Sequence, residues 1–378
     1  MELQKVLSLI PSTLLEELAE ETEVNVFSKK LQGEVMFKLL LHCIITHKDN
    51  SLRVMKSAYE TLFFKLINKG QKHSSINYSS ISTRLSVINA SYFEKIFTTC
   101  VSLYKNDLGE DRDRIVKFDS TIVALSTKLL DIGYNLKGGD AENYKQLKFT
   151  VGYSDIPEIV HFYADQSHNS ENVALKETIL KQAETDGKSI KIFDRGITAR
   201  KAYDTFTEKG IQFVSRINAT AKHDKKTANN LETIGTTTLQ IVSDEWCQFY
   251  KESCIKAQFL YRRIEAIKVE NNETIVFITN ISNLTAVEIA EIYKKRWEIE
   301  VFFKFIKQLL NFKHLISRNE NGIKVILYVT MIAAVLLQAY KKLNNFTGYK
   351  IPNLKFEAEL EIEIVKGIVE LCGGNPEK

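Results

Sequence analysis

Proline is scarce in this chain, at four residues in 378, and glycine is modest at 16. That excludes collagen-like repeats and Pro/Gly-rich low complexity. The five cysteines (Cys43, Cys100, Cys247, Cys254 and Cys372) are an odd, scattered set without a Cys-x-x-Cys pair, so neither a zinc ribbon nor a disulfide framework is indicated. The longest apolar stretch, Val325 to Leu337, is interrupted by Tyr328 and Thr330 and is too short for a bilayer, so it reads as a buried helix. Met1 to Glu21 lacks the positive start of a signal peptide and carries five glutamates instead. No Gly-x4-Gly-Lys loop and no Gly-x-Ser-x-Gly elbow occur, so neither nucleoside-triphosphate use nor serine hydrolysis is expected. These absences point to a cytoplasmic protein without membrane contact. The net charge, 51 − 47 = +4, is too small to argue a nucleic-acid partner alone.

What is present supports a folded chain. Forty-four per cent of residues are hydrophobic, including 21 Phe and 15 Tyr, enough for a sizeable core. Residues 1–108 read as a helical domain, with apolar positions recurring at three and four in Leu3-Val6-Leu7-Ile10 and Val35-Leu39-Leu40-Cys43. Lys29 to His73 holds nine Lys/Arg against three acidic residues, and the Ser/Thr-rich helix around Ile81-Ser82-Thr83-Arg84-Leu85, capped by Ser79 or Ser80, is a candidate DNA reader with Arg84 as contact. Residues 109–215 change pattern. Strands are expected at Ile115–Phe118, ending at Asp119, and at Leu147–Val151, Ile159–Ala164, Ile190–Phe193 and Ile211–Ser215, with helices at Asn172–Thr185 and Ala199–Lys209. Residues 216–271 read as a β-rich insertion, with strand-like runs at 236–242 and 258–261. Residues 272–345 return to the core with a strand at 274–279, one long helix from Thr285 (with Glu288 completing a capping box) to Asn311, and a buried helix over 323–342. A last helix, Phe356 to Cys372, lies in 346–378. The fold class is α/β: a mixed sheet flanked by helices.

Three acids stand out. Asp119 and Asp194 each follow a short strand, where ligands of sheet proteins collect. Glu300 lies on the long helix, where 100° per residue places Tyr293, Arg296, Glu300 and Lys307 within an arc of roughly 60°. Residues 293–318 carry seven Lys/Arg and two Glu, and Trp297, Phe302, Phe303 and Phe305 crowd the same helix. Three carboxylates form a hard, oxygen-only set suited to Mg²⁺ or Mn²⁺. Such a set can hold two ions about 3.5–4 Å apart for in-line phosphoryl displacement, with Arg and Lys gripping phosphate oxygens.

The spacing Tyr293-x2-Arg296-x3-Glu300-x6-Lys307 resembles the Y-R-E-K signature of the insertion-sequence-four family of bacterial DDE transposases. Asp119-Ser120-Thr121 resembles that family's first aspartate strand, Phe193-Asp194-Arg195-Gly196 its second, and Phe213-Val214-Ser215-Arg216 the strand after it. The resemblance implies a ribonuclease-H-like core, with the β insertion before the glutamate helix. It implies cut-and-paste transposition: two-metal hydrolysis at the element end, a hairpin intermediate and strand transfer. Asp119 would bridge two Mg²⁺ or Mn²⁺ ions, Asp194 would hold one and Glu300 the other. Tyr293, Arg296, Lys304, Lys307 and Arg195 would contact DNA, and Trp297 is the candidate for stacking a flipped base. The partners implied are double-stranded DNA, as terminal inverted repeats and as target, and a second copy of the chain in a paired-end complex on the nucleoid. Where the family carries a further Trp on the strand before this helix, this chain has Ile275-Val276-Phe277. Two other readings share the same residues: a transposase-derived DNA binder that no longer cleaves, and a metal-dependent nuclease without strand transfer. His161 and His168 read as parts of a polar network rather than as metal ligands.

Overall fold

The computed structural model describes residues 2–47, 51–61, 64–65, 75–108, 115–124, 133–135, 145–229, 236, 238–251, 254–310, 317, 319–371 and 373–375. The three-and-four spacing of apolar residues in the first part of the chain folds as α1 (Glu2–Leu7), α2 (Ser12–Glu21), α3 (Gly33–Thr46), α4 (Leu52–Glu60), α5 (Tyr78–Val87) and α6 (Ala90–Asp107). α5 starts earlier than expected. Asn77, not Ser79 or Ser80, is its cap, accepting from the Ser79 N–H, and this start puts Ile81 and Leu85 on one buried face.

The sheet comprises β1 (Ile115–Ala124), β2 (Tyr134–Asn135), β3 (Lys145–Tyr153), β4 (Pro157–Tyr163), β5 (Ile190–Phe193), β6 (Phe213–Arg216), β7 (His223–Ala228), β8 (Leu239–Phe249), β9 (Tyr261–Lys268) and β10 (Thr274–Thr279). The order is β2-β3-β1-β5-β6-β10-β9-β8-β7, with β4 also paired to β3. β1 is antiparallel to β3 but parallel to β5, and β5 is parallel to β6. The segment expected to be β-rich supplies β7, β8 and β9. These extend the same sheet beyond β10 by antiparallel pairing. Gln258 to Leu260 are not strand; β9 begins at Tyr261, where side chains enter the core.

Helices cover both faces. Val116 and Phe118 of β1 pack with α7 (Glu171–Thr185) and α8 (Arg200–Glu208) on one side. Alternate strand residues face α9 (Ala286–Lys294), α10 (Trp297–Gln308) and α11 (Glu320–Leu343) on the other, and α12 (Lys350–Leu371) packs on α11, α1 and α3. α11 is the hub of that side. By length and composition alone it could cross a membrane, yet it is buried along most of its length against α1, α3, α5, α6 and α12.

Two expectations are corrected by the backbone. β1 does not end at Asp119; the β-branched run Thr121-Ile122-Val123 keeps it paired to β3 as far as Ala124. The helix from Thr285 is not continuous either. At Lys295, Arg296, Glu298 and Ile299 the backbone bonds reach back three residues instead of four, and this tightened turn separates α9 from α10. Residues 311–316 and 318, which include part of the expected helix end and Arg318, lie outside the described residues.

Candidate active site

The parallel pairing of β1 and β5 stops at Phe118 and Phe193, and the next residue on each strand is an aspartate. Asp119 and Asp194 therefore stand side by side where the two strands part. Asp119 Oδ1 accepts the Ser120 N–H at 2.7 Å. Asp194 Oδ1 accepts the Gly196 N–H at 2.7 Å, and a β-carbon at 196 would lie 2.8 Å from that carboxylate oxygen and 3.0 Å from Glu171, so a side chain there would displace one of the two acids.

The third acid arrives on α10. α9 opens with a complete capping box: Thr285 accepts from the Glu288 N–H at 3.2 Å, and Glu288 accepts from the Thr285 N–H at 2.7 Å. The tight turn after α9 delivers Arg296 between two carboxylates. Its Nη1 lies 3.7 Å from Asp119 Oδ2, while its Nη2 donates to Glu300 Oε1. One guanidinium thus links the acid of β1 to the acid of α10. A second tie sits two residues before Asp119 on the same face. Buried Lys117 donates to Glu298 Oε2 at 2.8 Å and to the Ser154 carbonyl at 2.7 Å, holding the first turn of α10 on β1. Behind it, Phe302 stacks on Tyr153 with ring centroids 4.7 Å apart.

Burial pushes the Asp119 carboxyl up to about 7; the Ser120 N–H lowers it, Asp194 raises it, Arg296 opposes and Glu171 adds to the rise. This half-buried carboxylate stands among like charges, with Arg296 as its cationic neighbour, and the oxygen donors of Asp119, Asp194 and Glu300 are of the hard type that suits a divalent cation. Among the described residues, no three His, Cys, Asp or Glu side chains are gathered closely enough to hold a metal by themselves. Arg296 occupies the place between Asp119 and Glu300.

Glu171, which sequence reasoning did not single out, belongs to this neighbourhood. It opens α7, accepts from Ser120 Oγ at 2.7 Å and pairs with buried Lys148 at 2.9 Å. The brace lies on the face of β1 opposite Asp119 and holds the residue that follows it. No motif marks Glu171 in the chain; its only sequence signal is a Ser-Glu helix start.

Of the other residues singled out, Tyr293 packs on Phe277 at 5.2 Å beneath Arg296, and burial pushes its phenol up to about 12. Lys304 is exposed on α10, and Lys307 lies 5.8 Å over the Phe303 ring. Trp297 is 64% exposed, which leaves it facing solvent rather than the core. It walls a cleft of about 690 Å³ shared with Tyr104, Tyr153, Lys341, Phe346 and Tyr349. Arg195 is exposed beside Asp194. Arg84 is on a separate surface, where it donates to the carbonyls of Leu31 (2.8 Å) and Val24. His161 bonds Tyr163 and Thr178, and His168 bonds Asp165 and Glu177, so both sit in polar networks.

Comparison with known proteins adds the last observation. Residues 110–336 match the family model described as the transposase DDE domain. A probable transposase for insertion sequence element IS5377 of Geobacillus stearothermophilus is 30% identical over 174 residues, 46% of this chain and 45% of that protein. A Synechocystis sp. protein whose name assigns it as a transposase for insertion sequence element IS4SA is 27% identical over 285 residues, 75% of this chain and 76% of that protein. Similarity thus spans under half of the first relative's length and about three quarters of the second's.

Proposed function

The chain belongs to the transposase DDE-domain family, and from that premise we propose that it cuts and rejoins DNA as the transposase of a bacterial insertion sequence. The observation that carries this reading is Arg296, which joins Asp119 to Glu300 beside Asp194. The spacing of Tyr293, Arg296, Glu300 and Lys307 supports membership of the insertion-sequence-four group. The strand order β4-β3-β1-β5-β6, antiparallel and then parallel, supports a ribonuclease-H-like core.

Asp119, Asp194 and Glu300 would hold two Mg²⁺ or Mn²⁺ ions, which when bound supply Lewis acidity to the attacking and leaving oxygens. The chain's own residues do the rest. Arg296 shifts its fork from carboxylate to phosphate, with the Tyr293 ring 6.0 Å from its guanidinium. Lys304, Lys307 and Arg195 neutralise neighbouring phosphates. Water attacks the phosphodiester at the element end and releases a 3′-hydroxyl. That hydroxyl attacks the phosphodiester of the opposite strand and displaces the 3′-hydroxyl of the flanking DNA, closing a hairpin. A second water breaks the hairpin phosphodiester to give back the 3′-hydroxyl and leave a 5′-phosphate. The 3′-hydroxyl then attacks a target phosphodiester and displaces a target 3′-hydroxyl. The bent duplex this requires places a flipped base against Trp297, at the mouth of the aromatic cleft. Pairing of two ends calls for a homodimer on double-stranded DNA in the cytoplasm.

The test uses duplexes bearing the DNA that flanks the gene, with Mg²⁺. The expected outcome is nicking, hairpin formation and joining to a target plasmid by wild type. Glu300→Ala should lose cleavage by at least about a hundredfold while binding the duplex within about twofold, because it removes a carboxylate and no basic surface. Binding without nicking by wild type would sink the enzyme reading in favour of a non-cleaving binder. Nicking without joined products would indicate a nuclease.

A further inference from the structure

Phe27, in the loop between α2 and α3, is completely exposed at 104% of its reference area, with φ of 59° in the left-handed region. A bulky side chain seldom adopts that backbone, and an exposed ring gains nothing from water. The loop is nevertheless firmly braced. Arg84 donates to the carbonyls of Val24 and Leu31, closing the loop at both ends. Asn89 donates to the Thr22 carbonyl at 2.8 Å, and Asn25 accepts from the Gly33 N–H at 2.7 Å. Val24 beneath is buried so tightly that a β-carbon at Gly33 would lie 2.5 Å from it. The fold holds this ring outward beside exposed Val26.

Next to the ring lies a cleft of about 640 Å³ between the loop and α5. Its lining holds three cationic side chains (Lys29, Lys30 and Arg84) and five hydroxyls, Ser79 and Thr83 among them, with no acidic residue. Ammonium and hydroxyl groups are the donors that hold phosphate, and an apolar ring between them is the shape of a wedge against a base step. A second copy of the chain fits less well, because a two-fold contact would set this acid-free basic rim against itself.

We propose that the 24–31 loop and α5 form a duplex-DNA grip, in which Phe27 presses its ring against a base step while Lys29, Lys30, Ser79 and Thr83 hold the flanking phosphates. Arg84 is the brace of that surface. This rests on the DNA reading above.

The test uses the full chain and a duplex that wild type enriches from a random-sequence pool. Phe27→Ala should weaken that duplex by about tenfold or more, the scale of one lost base–aromatic contact, with an unchanged melting temperature. Phe27→Gly, which also relieves the left-handed backbone, should bind as weakly and melt no lower. Phe27→Trp should keep the affinity, and its added emission should be quenched by the duplex. A benzoylphenylalanine placed at position 27 should photo-crosslink to DNA. Equal affinity for wild type and Phe27→Ala overturns the grip and leaves the transposase reading standing. A crosslink that forms only to a second copy of the chain overturns it too. A wild-type chain that enriches no duplex overturns both.

Discussion

At the scale of single residues, the chemistry gathers on Asp119. Burial penalises its charged form only in the folded chain, so a carboxyl that titrates at about 7 when folded titrates near 3.8 when unfolded. The stability it contributes is full below pH 4 and is lost as pH rises through 7. Asp119→Asn keeps the shape without the charge. The variant should therefore melt about 3 °C or more above metal-free wild type at pH 8, with the difference closing toward pH 4. Mg²⁺ should raise the wild-type melting temperature at pH 8 and leave the variant's unmoved. A pH-independent difference would show that the carboxylate is not electrostatically stressed. The brace behind Asp119 makes a separate demand. Removing Glu171 leaves the Lys148 ammonium buried with one fewer partner, so Glu171→Ala should cost on the order of 3 kcal/mol by urea unfolding, and adding Lys148→Met should recover most of it. Additive losses in the double variant would break that assignment. Asp119 and Asp194 stood out in the sequence because each comes after a short apolar-rich run, and Glu300 because it lies in a spaced signature. Glu171 and Lys117 were not, because a buried lysine and a helix-opening glutamate acquire meaning only when distant strands bring their partners.

At the scale of elements, legibility followed local physics. Ile190–Phe193 is a strand of four residues buried on both faces, and its three apolar residues around Lys191 announce it. Thr285 and Glu288 announce the start of α9 by a capping box that the structure contains in full. Thr285→Ala should therefore cost about 1 kcal/mol, seen in this 378-residue chain as a melting temperature lower by about 1–2 °C. Thr285→Ser should restore most of it. The site is exposed, so no cavity confuses the reading; an unchanged melt would mean that tertiary packing alone holds the helix. The break after α9 carried no such signal. Tyr293 to Trp297 contains neither Pro nor Gly, and the tightening there coincides with Arg296 reaching Asp119 on another strand. Likewise, the extension of β1 past Asp119 depends on β3, some thirty residues away in the chain.

At the scale of the whole molecule, the family match spans 110–336, but the core that supports it does not stop there. Residues of α3, α5 and α6 belong to the same buried cluster as Phe149 and Val151 of β3, Phe302 of α10 and the length of α11. α11 has apolar residues around its whole circumference, and the N-terminal helices cover one side of it. Asn321, near its start, donates to the carbonyls of Leu85 and Ile88 at the end of α5, so the join is specific as well as apolar. A fragment of residues 109–378 would expose that side of α11 to water. It should bind a hydrophobic dye, aggregate, and show no cooperative melt, whereas the full chain should unfold in one transition. If the N-terminal helices grip a duplex as proposed, the load would fall on α11, which shares its core with the helix that carries Glu300. A 109–378 fragment that is monomeric and melts cooperatively would show instead that the two ends of this chain fold, and respond to DNA, independently.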